Sequence, residues 1–225
     1  MALQDLLALI YPTTCLLCNS AGVTLCPTCE IRLESCRQSY LLHGFTLYSS
    51  LHYNEAAANL ILAAKESNER AAARYLAELM AMRFGRAHRE LSYARYLLIP
   101  IPSSKAADKR RGYQHMVLLA RLVAKKITVD HGVECTVAPV LVPARKIADQ
   151  SGLNAAARLA NMRGAFELKA GVDLRGAGII LIDDLVTTGS TMGEALRALK
   201  MGRYEPDALL SACVAGRFLA NKIGR

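Results

Sequence analysis

Apolar residues first recur at Leu3, Leu6, Leu7 and Ile10, the spacing of a short amphipathic helix docking on a core. The pattern then lapses. Residues 11–36 are rich in Cys, Thr, Pro and Gly and carry no long apolar period. Phe45–Tyr53 predicts a strand. Glu55 to about Glu90 is Ala-rich and helix-favouring, with a break near Ser67-Asn68. An alternation follows. Arg95–Ile101 is an apolar run ending in Pro, Gly112 to about Ile127 is helical, and Val133–Val142 is β-branched and apolar. Ser151–Asn161 is expected to be helical or mobile. Gly178–Ile182 reads as a buried strand, Thr191–Met201 as a helix and Ala208–Val214 as a strand. Short, fully apolar strands alternating with helices predict an α/β fold, a parallel sheet covered on both faces. Ligands bind such sheets at the carboxyl ends of the strands. The loops after Ile101, Val142 and Ile182 are therefore where chemistry is expected.

Composition changes this picture in three ways. A chain of 225 residues, 52% apolar, suits one core domain with a small appendage. The boundary is expected near residue 40, with a helix and cysteine-rich element over 1–40 and the main domain over 41–225. A net charge of +9 favours anionic partners such as nucleic acid, phosphorylated metabolites or acidic lipid, the plain alternative being a generally cationic surface. No apolar run reaches the roughly 18 residues that a membrane span needs. The first apolar segment has no Lys or Arg before it, which makes a poor signal peptide; a cytoplasmic location is the expectation.

Of seven cysteines, four form C-x2-C-x7-C-x2-C: Cys15, Cys18, Cys26 and Cys29. An odd total without a secretory signal argues against a disulfide framework. Two CxxC knuckles can instead converge four thiolates on Zn²⁺ at about 2.3 Å. A region this small needs a metal to fold, and four protein ligands make such a site closed and structural. Redox-active or incidental cysteines are the alternative, and Cys36 is a poorer substitute ligand.

The strand Gly178–Ile182 runs into Asp183-Asp184, then Leu185-Val186-Thr187-Thr188-Gly189-Ser190-Thr191 and a helix whose apolar face is Met192, Ala195, Leu196 and Leu199. A helix N-terminus presents unpaired N–H groups and partial positive charge, and so binds phosphate. Gly189 permits close approach or an unusual dihedral. Thr187, Thr188, Ser190 and Thr191 offer hydroxyl donors. Adjacent carboxylates repel each other, but they can accept hydrogen bonds from a sugar diol or take part in a Mg²⁺ site. The alternative is an ordinary strand-to-helix turn capped by Ser or Thr.

Two other loops are cationic. Pro102-Ser103-Ser104-Lys105 leads to Lys109-Arg110-Arg111-Gly112-Tyr113-Gln114; hydroxyls, cations and a glycine at a strand end can grip pyrophosphate. The stretch from Pro143 to Asn154 carries Arg145, Lys146 and Gln150, and Arg158, Asn161 and Arg163 follow. Long loops of this kind are often lids; a nucleic-acid-binding surface is the alternative.

The diacid string closely resembles the phosphoribosyl pyrophosphate-binding motif of type I phosphoribosyltransferases. That resemblance implies a parallel sheet flanked by helices, with Asp183 and Asp184 on the ribose hydroxyls, Mg²⁺ nearby, and Thr187, Thr188, Gly189, Ser190 and Thr191 around the 5-phosphate. Many purine-salvage members carry an acid where this chain has Thr187, so purine salvage is disfavoured. The Cys pairs, Pro100-Ile101-Pro102, the R-G-Y-Q-H run at 111–115, Arg145…Gln150 and Arg158…Asn161 extend the likeness to the ComF family, also called GntX-like. Lys65 aligns with a lysine of that family.

Two functions follow. As an enzyme, the chain would transfer a phosphoribosyl group to an acceptor, with Asp183 and Asp184 facing the sugar. Arg111 and Arg145 would serve the transition state's negative pyrophosphate, which Ser103, Ser104, Lys105 and Arg158 would bind. As a non-catalytic adaptor, implied by the ComF resemblance, it would bind single-stranded DNA and a helicase-like competence protein. A regulator that senses phosphoribosyl pyrophosphate is a third possibility.

Overall fold

The computed structural model describes residues 13–66, 69–145, 161–216 and 222–223. The helix expected over Met1–Ile10, the break at Ser67-Asn68 and most of Ser151–Asn161 lie outside the described residues.

Fifteen elements lie among the described residues: α1 (Pro27–Ile31), β1 (Ser39–Leu42), β2 (Phe45–His52), α2 (Glu55–Lys65), α3 (Arg70–Leu91), β3 (Arg95–Pro100), α4 (Lys105–Arg111), α5 (His115–His131), β4 (Glu134–Val137), β5 (Leu141–Pro143), β6 (Phe166–Leu168), β7 (Gly178–Val186), α6 (Ser190–Met201), β8 (Ala208–Val214) and β9 (Lys222–Ile223). Seven strands form one sheet in the order β4-β3-β7-β8-β2-β1-β9. Pairings from β4 to β2 are parallel, and β1 joins β2 and β9 antiparallel. β5 and β6 pair antiparallel in a separate ribbon. The expected α/β fold, a mostly parallel sheet flanked by helices, is the observed one.

Both faces of the sheet are covered, which is why β7 and β8 are apolar almost throughout. On one face Leu76, Met80 and Phe84 of α3 and Leu119, Val123 and Ile127 of α5 pack with Tyr48, Leu98, Ile180, Ile182 and Leu210. On the other, Met192, Ala195 and Leu199 of α6 and Phe166 of β6 pack with Leu47, Ile99, Ile179, Leu181 and Leu209. Alternate residues of β7 thus feed opposite cores, as a period of two requires.

Three sequence expectations are refined. Val133–Val142 is two strands in different sheets, because the chain leaves the main sheet after Val137. Residues 105–111 form a helix, started by the Ser104 hydroxyl, which accepts from Ala107 N–H at 3.2 Å. β7 continues past Ile182 to Val186, because β8 offers a full parallel partner: Asp183 stands opposite Ser211 and Leu185 opposite Cys213.

Phe84 is fully buried and meets the Tyr96 ring edge-on at 4.9 Å between centroids. Phe84→Ala is expected to cost about 3–5 kcal/mol, read as a lower urea midpoint with little change in slope.

Candidate functional site

β3 and β7 are parallel neighbours, with Pro100 opposite Ile182 and Ile101 N–H bonded to Ile182 C=O. Their carboxyl ends therefore open side by side. One releases Ser103-Ser104-Lys105, and the other carries Asp183, Asp184 and the loop to α6.

The two carboxylates are almost completely buried, at 8% and 5% exposure. Asp183 also belongs to a polar row. In register it faces Ser211, and Ser211 faces Ser49 on β2; both serines are fully buried. The Ser211 hydroxyl has no hydrogen-bond partner among the described residues. Ser49 satisfies its hydroxyl on Leu51 C=O at 3.3 Å, so the Ser211 hydroxyl is the costly member of this row.

Asp184 has cationic company. Lys65, the last residue of α2, places Nζ 3.2 Å from Asp184 Oδ2. His115, the first residue of α5, places Nε2 at 3.4 Å from the same oxygen without hydrogen-bond alignment. Burial works to raise the Asp184 carboxyl, but the His115 ring and the Lys65 ammonium outweigh it and hold Asp184 below the usual carboxylate range. Asp183 goes the other way: burial first, then the neighbouring Asp184 charge, push it well above its ordinary value. The two adjacent carboxyls are thus pushed in opposite directions, Asp183 up by burial and its neighbour's charge and Asp184 down by its basic contacts.

Lys65 is itself braced. The Tyr113 hydroxyl donates to the carbonyls of Ala64 and Lys65, at 3.2 and 2.9 Å, closing the end of α2. Arg111, only 2% exposed, reaches Glu66 at 3.2 Å and Asp108 at 2.9 Å. Arg110 adds a second contact to Glu66 at 2.8 Å. The R-G-Y-Q-H run therefore clamps α2 against α4 and α5 and delivers His115 to the diacid.

The Thr187–Thr191 loop is shaped from beneath. Gly189 adopts φ 77°, and a Cβ there would stand 2.6 Å from Leu42 Cδ1, so both reasons for glycine apply. His43, at the β1–β2 turn, donates from Nε2 to Gly189 C=O at 3.0 Å. Thr188 and Ser190 hydroxyls bond each other at 2.7 Å. Gly189 adds no side-chain cap to α6; the Ser190 N–H donates to the Thr188 hydroxyl at 3.4 Å, and the helix start keeps the partial positive charge that suits an anion.

Of the other expected residues, Ser104 caps α4 and Lys105 opens it. Arg145, beyond β5, donates to Asn161 and Arg163 carbonyls at 2.7 and 2.8 Å, joining the two ends of the intervening segment. Arg158 lies outside the described residues. His115 and His43 were not anticipated. His115 lay within a quoted motif, whereas His43 had no sequence signal.

The four cysteines converge: one sulfur from each of Cys15, Cys18, Cys26 and Cys29 lies within 4.8 Å of the others, and Cys18 and Cys26 sulfurs are 3.7 Å apart. Four sulfurs at about 2.3 Å from one tetrahedral ion would be about 3.8 Å apart, so the set fits a structural zinc. Burial opposes ionisation of Cys15, but N–H groups led by Cys26 bring it down to about 6. Cys36 points elsewhere, to Gln38 C=O and the Tyr40 hydroxyl.

No family model matches the chain. Over 152 residues it is 28% identical to Competence protein F of Haemophilus influenzae. The chain is similar to that protein. The match takes in 66% of this chain and 64% of the relative, so it spans just under two thirds of the relative's length. It agrees with the ComF resemblance carried by the motifs. Among solved structures, hypoxanthine phosphoribosyltransferase from Trypanosoma cruzi is 13% identical, with TM-score 0.39 over 64% of this chain and 68% of that one. Adenine phosphoribosyltransferase from Leishmania donovani is 12% identical, with TM-score 0.33 over 68% and 67%. Among the described residues, no helix is long and apolar enough to cross a membrane.

The raised Asp183 carboxyl carries a sign. A folded-state value above the unfolded one makes its ionisation unfavourable to folding at neutral pH, and the penalty fades as pH falls and the folded carboxyl keeps its proton. Asp183→Asn is therefore expected to stabilise the chain by about 1 kcal/mol at pH 7, with the gain shrinking towards pH 4. Thermal melts of both proteins across that range test it; a variant less stable at pH 7 than the parent would contradict it.

Proposed function

We propose that this chain binds 5-phosphoribosyl 1-pyrophosphate at the carboxyl ends of β3 and β7 and transfers its phosphoribosyl group to an acceptor. The observation that carries this reading is a buried diacid leading through a Thr-Gly-Ser-Thr loop into the N-terminus of α6. The 5-phosphate sits in the Thr187–Thr191 loop, on the N–H groups of α6 and the hydroxyls around Gly189. The ribose hydroxyls meet Asp183 and Asp184. Ser103, Ser104 and Lys105 at the neighbouring strand end take the pyrophosphate, with Arg145 and Arg158 closing from the following segment.

The diacid is also where Mg²⁺ fits, its carboxylate oxygens being hard donors; when bound, the ion neutralises pyrophosphate charge. In its absence Lys65 supplies a positive charge at Asp184. Positive charge developing at the sugar in the transition state is met by the ionised carboxylate, and negative charge on the departing group by the cations of the strand-end loop. Arg111, whose guanidinium is held by Glu66 and Asp108, acts by positioning Lys65. The four cysteines hold a structural Zn²⁺ that folds residues 13–36 onto the sheet. Leu16, Leu17 and Leu25 from this region pack on the main core.

A second reading is favoured by the similarity to Competence protein F and the net charge of +9. Here the chain is an adaptor in DNA uptake, binding single-stranded DNA and a helicase-like partner, with or without turnover.

Phosphoribosyl pyrophosphate with Mg²⁺, at about 100 times its Kd, is expected to stabilise the protein by about 2.7 kcal/mol. Asp183→Asn is expected to fold and to lose that stabilisation. Pyrophosphate release across a panel of bases and amines separates transfer from binding. Equal stabilisation of parent and variant would place the donor elsewhere. For the metal, purified protein is expected to contain zinc in a one-to-one ratio, and Cys26→Ser to lose it together with thermal stability. Zinc-free protein of undiminished stability would refute the structural role.

A further inference from the structure

A cleft of about 640 Å³ opens between the amino-terminal halves of α3 and α5, behind the diacid. Its lining includes none of Asp183–Thr191. Three arginines stand around it: Arg70 and Arg74, one turn apart on α3, and Arg121 on α5. All three are exposed, and none makes a hydrogen bond or ion pair among the described residues. The one acid in the lining, Glu69, is engaged with its own helix, accepting from Ala71 N–H at 3.2 Å. Three like charges around a concave surface with one acid beside them raise the local potential and concentrate anions.

Two further observations point inward. Arg111 lines the cleft with a side chain 2% exposed, and its Nε has no hydrogen-bond partner among the described residues. Gln114, also in the lining, is the N-cap of α5 and makes no side-chain cap bond, which leaves that helix's first N–H groups uncapped. Apolar side chains complete much of the lining: Ala73 from α3, and Val117, Leu118 and Leu122 from α5, beside Tyr113. A site with several guanidiniums, an uncapped helix start and an apolar floor suits a ligand with phosphates at one end and a flat, poorly solvated ring at the other. The cleft's volume falls in the range of small-molecule sites, about 300–1,000 Å³.

We propose that this cleft binds a nucleotide, with its phosphates on Arg70, Arg74 and Arg121 and its base on the apolar floor. The site is separate from the donor site and does not rest on the function proposed above. It shares Arg111 and Tyr113 with the brace that holds Lys65.

Calorimetric titration of the full chain with ADP, in EDTA, tests this. ADP is expected to bind the parent and Asp183→Asn alike. It is expected to bind the charge-reversed pair Arg74→Glu/Arg121→Glu at least about tenfold more weakly. Both arginines are exposed, so that variant keeps its fold, and Arg74→Lys/Arg121→Lys should retain intermediate affinity because lysine keeps charge but not the bidentate fork. Inorganic pyrophosphate should bind more weakly than ADP. If it binds equally, the nucleoside half of the proposal is wrong. ADP binding lost in Asp183→Asn but kept in the reversed pair would move the nucleotide to the diacid and overturn the proposal. So would a single-stranded oligonucleotide sensitive to charge reversal when ADP does not bind.

Discussion

Two adjacent carboxyl groups at the end of a central strand cannot both be buried and ionised without cationic help. Asp183 and Asp184 are buried on both sides of β7 by neighbouring strands and helices, where charge repulsion and lost hydration are poorly screened. Lys65 resolves the conflict for Asp184 by crossing from the end of α2. Asp183 is left to resist ionisation. Much of the surrounding architecture serves that contact. Tyr113 ties off the carbonyls of α2, Arg110 and Arg111 anchor Glu66, and Ser104 starts the short helix from which these arginines project.

The opposite side of the strand end is governed by backbone shape rather than charge. The β1–β2 hairpin brings Leu42 and His43 under the loop to α6, so close that only glycine fits at residue 189. His43 bonds a carbonyl that α6 also uses, since Gly193 N–H donates to it at 2.8 Å. The loop is thereby fixed at the start of α6, where the Ser190 N–H turns to the Thr188 hydroxyl at 3.4 Å. A rigid concave backbone beside an ionised carboxylate is suited to a ligand that is anionic at one point and rich in hydroxyls at the next.

The cysteine cluster stabilises at a distance from this chemistry. Residues 13–36 have few core side chains of their own. They reach the sheet through Leu16, Leu17, Leu25 and Leu33, and through backbone bonds from Cys36 to Ser50 and from His52 to Glu34. Those bonds lie along β2, the strand that carries Ser49 of the polar row. Folding of the knuckle and firmness of the central sheet are therefore linked through one strand.

The sheet class, the strands Phe45–His52 and Ala208–Val214, the helix after Gly189 and the four-cysteine ligand set were all legible in the sequence. Each rests on local information: apolar period, glycine and hydroxyl placement, or cysteine spacing. Val133–Val142 reads in the sequence as a β-branched, apolar stretch, and only packing decides that Glu134–Val137 joins the main sheet while Leu141–Pro143 pairs with β6. The diacid is visible in the sequence as a pair, but the opposite shifts of its two carboxyls are not. The downward one depends on Lys65, 119 positions away in sequence from Asp184, and on His115, which is delivered by a different helix. Likewise Gly189 announces that something comes close, while the identity of the neighbours, Leu42 and His43 of the β1–β2 hairpin, is decided by strand order. Sequence spacing encodes which backbone groups a segment leaves open; which charges and side chains arrive there is set by the parallel sheet, whose neighbouring strands are far apart along the chain.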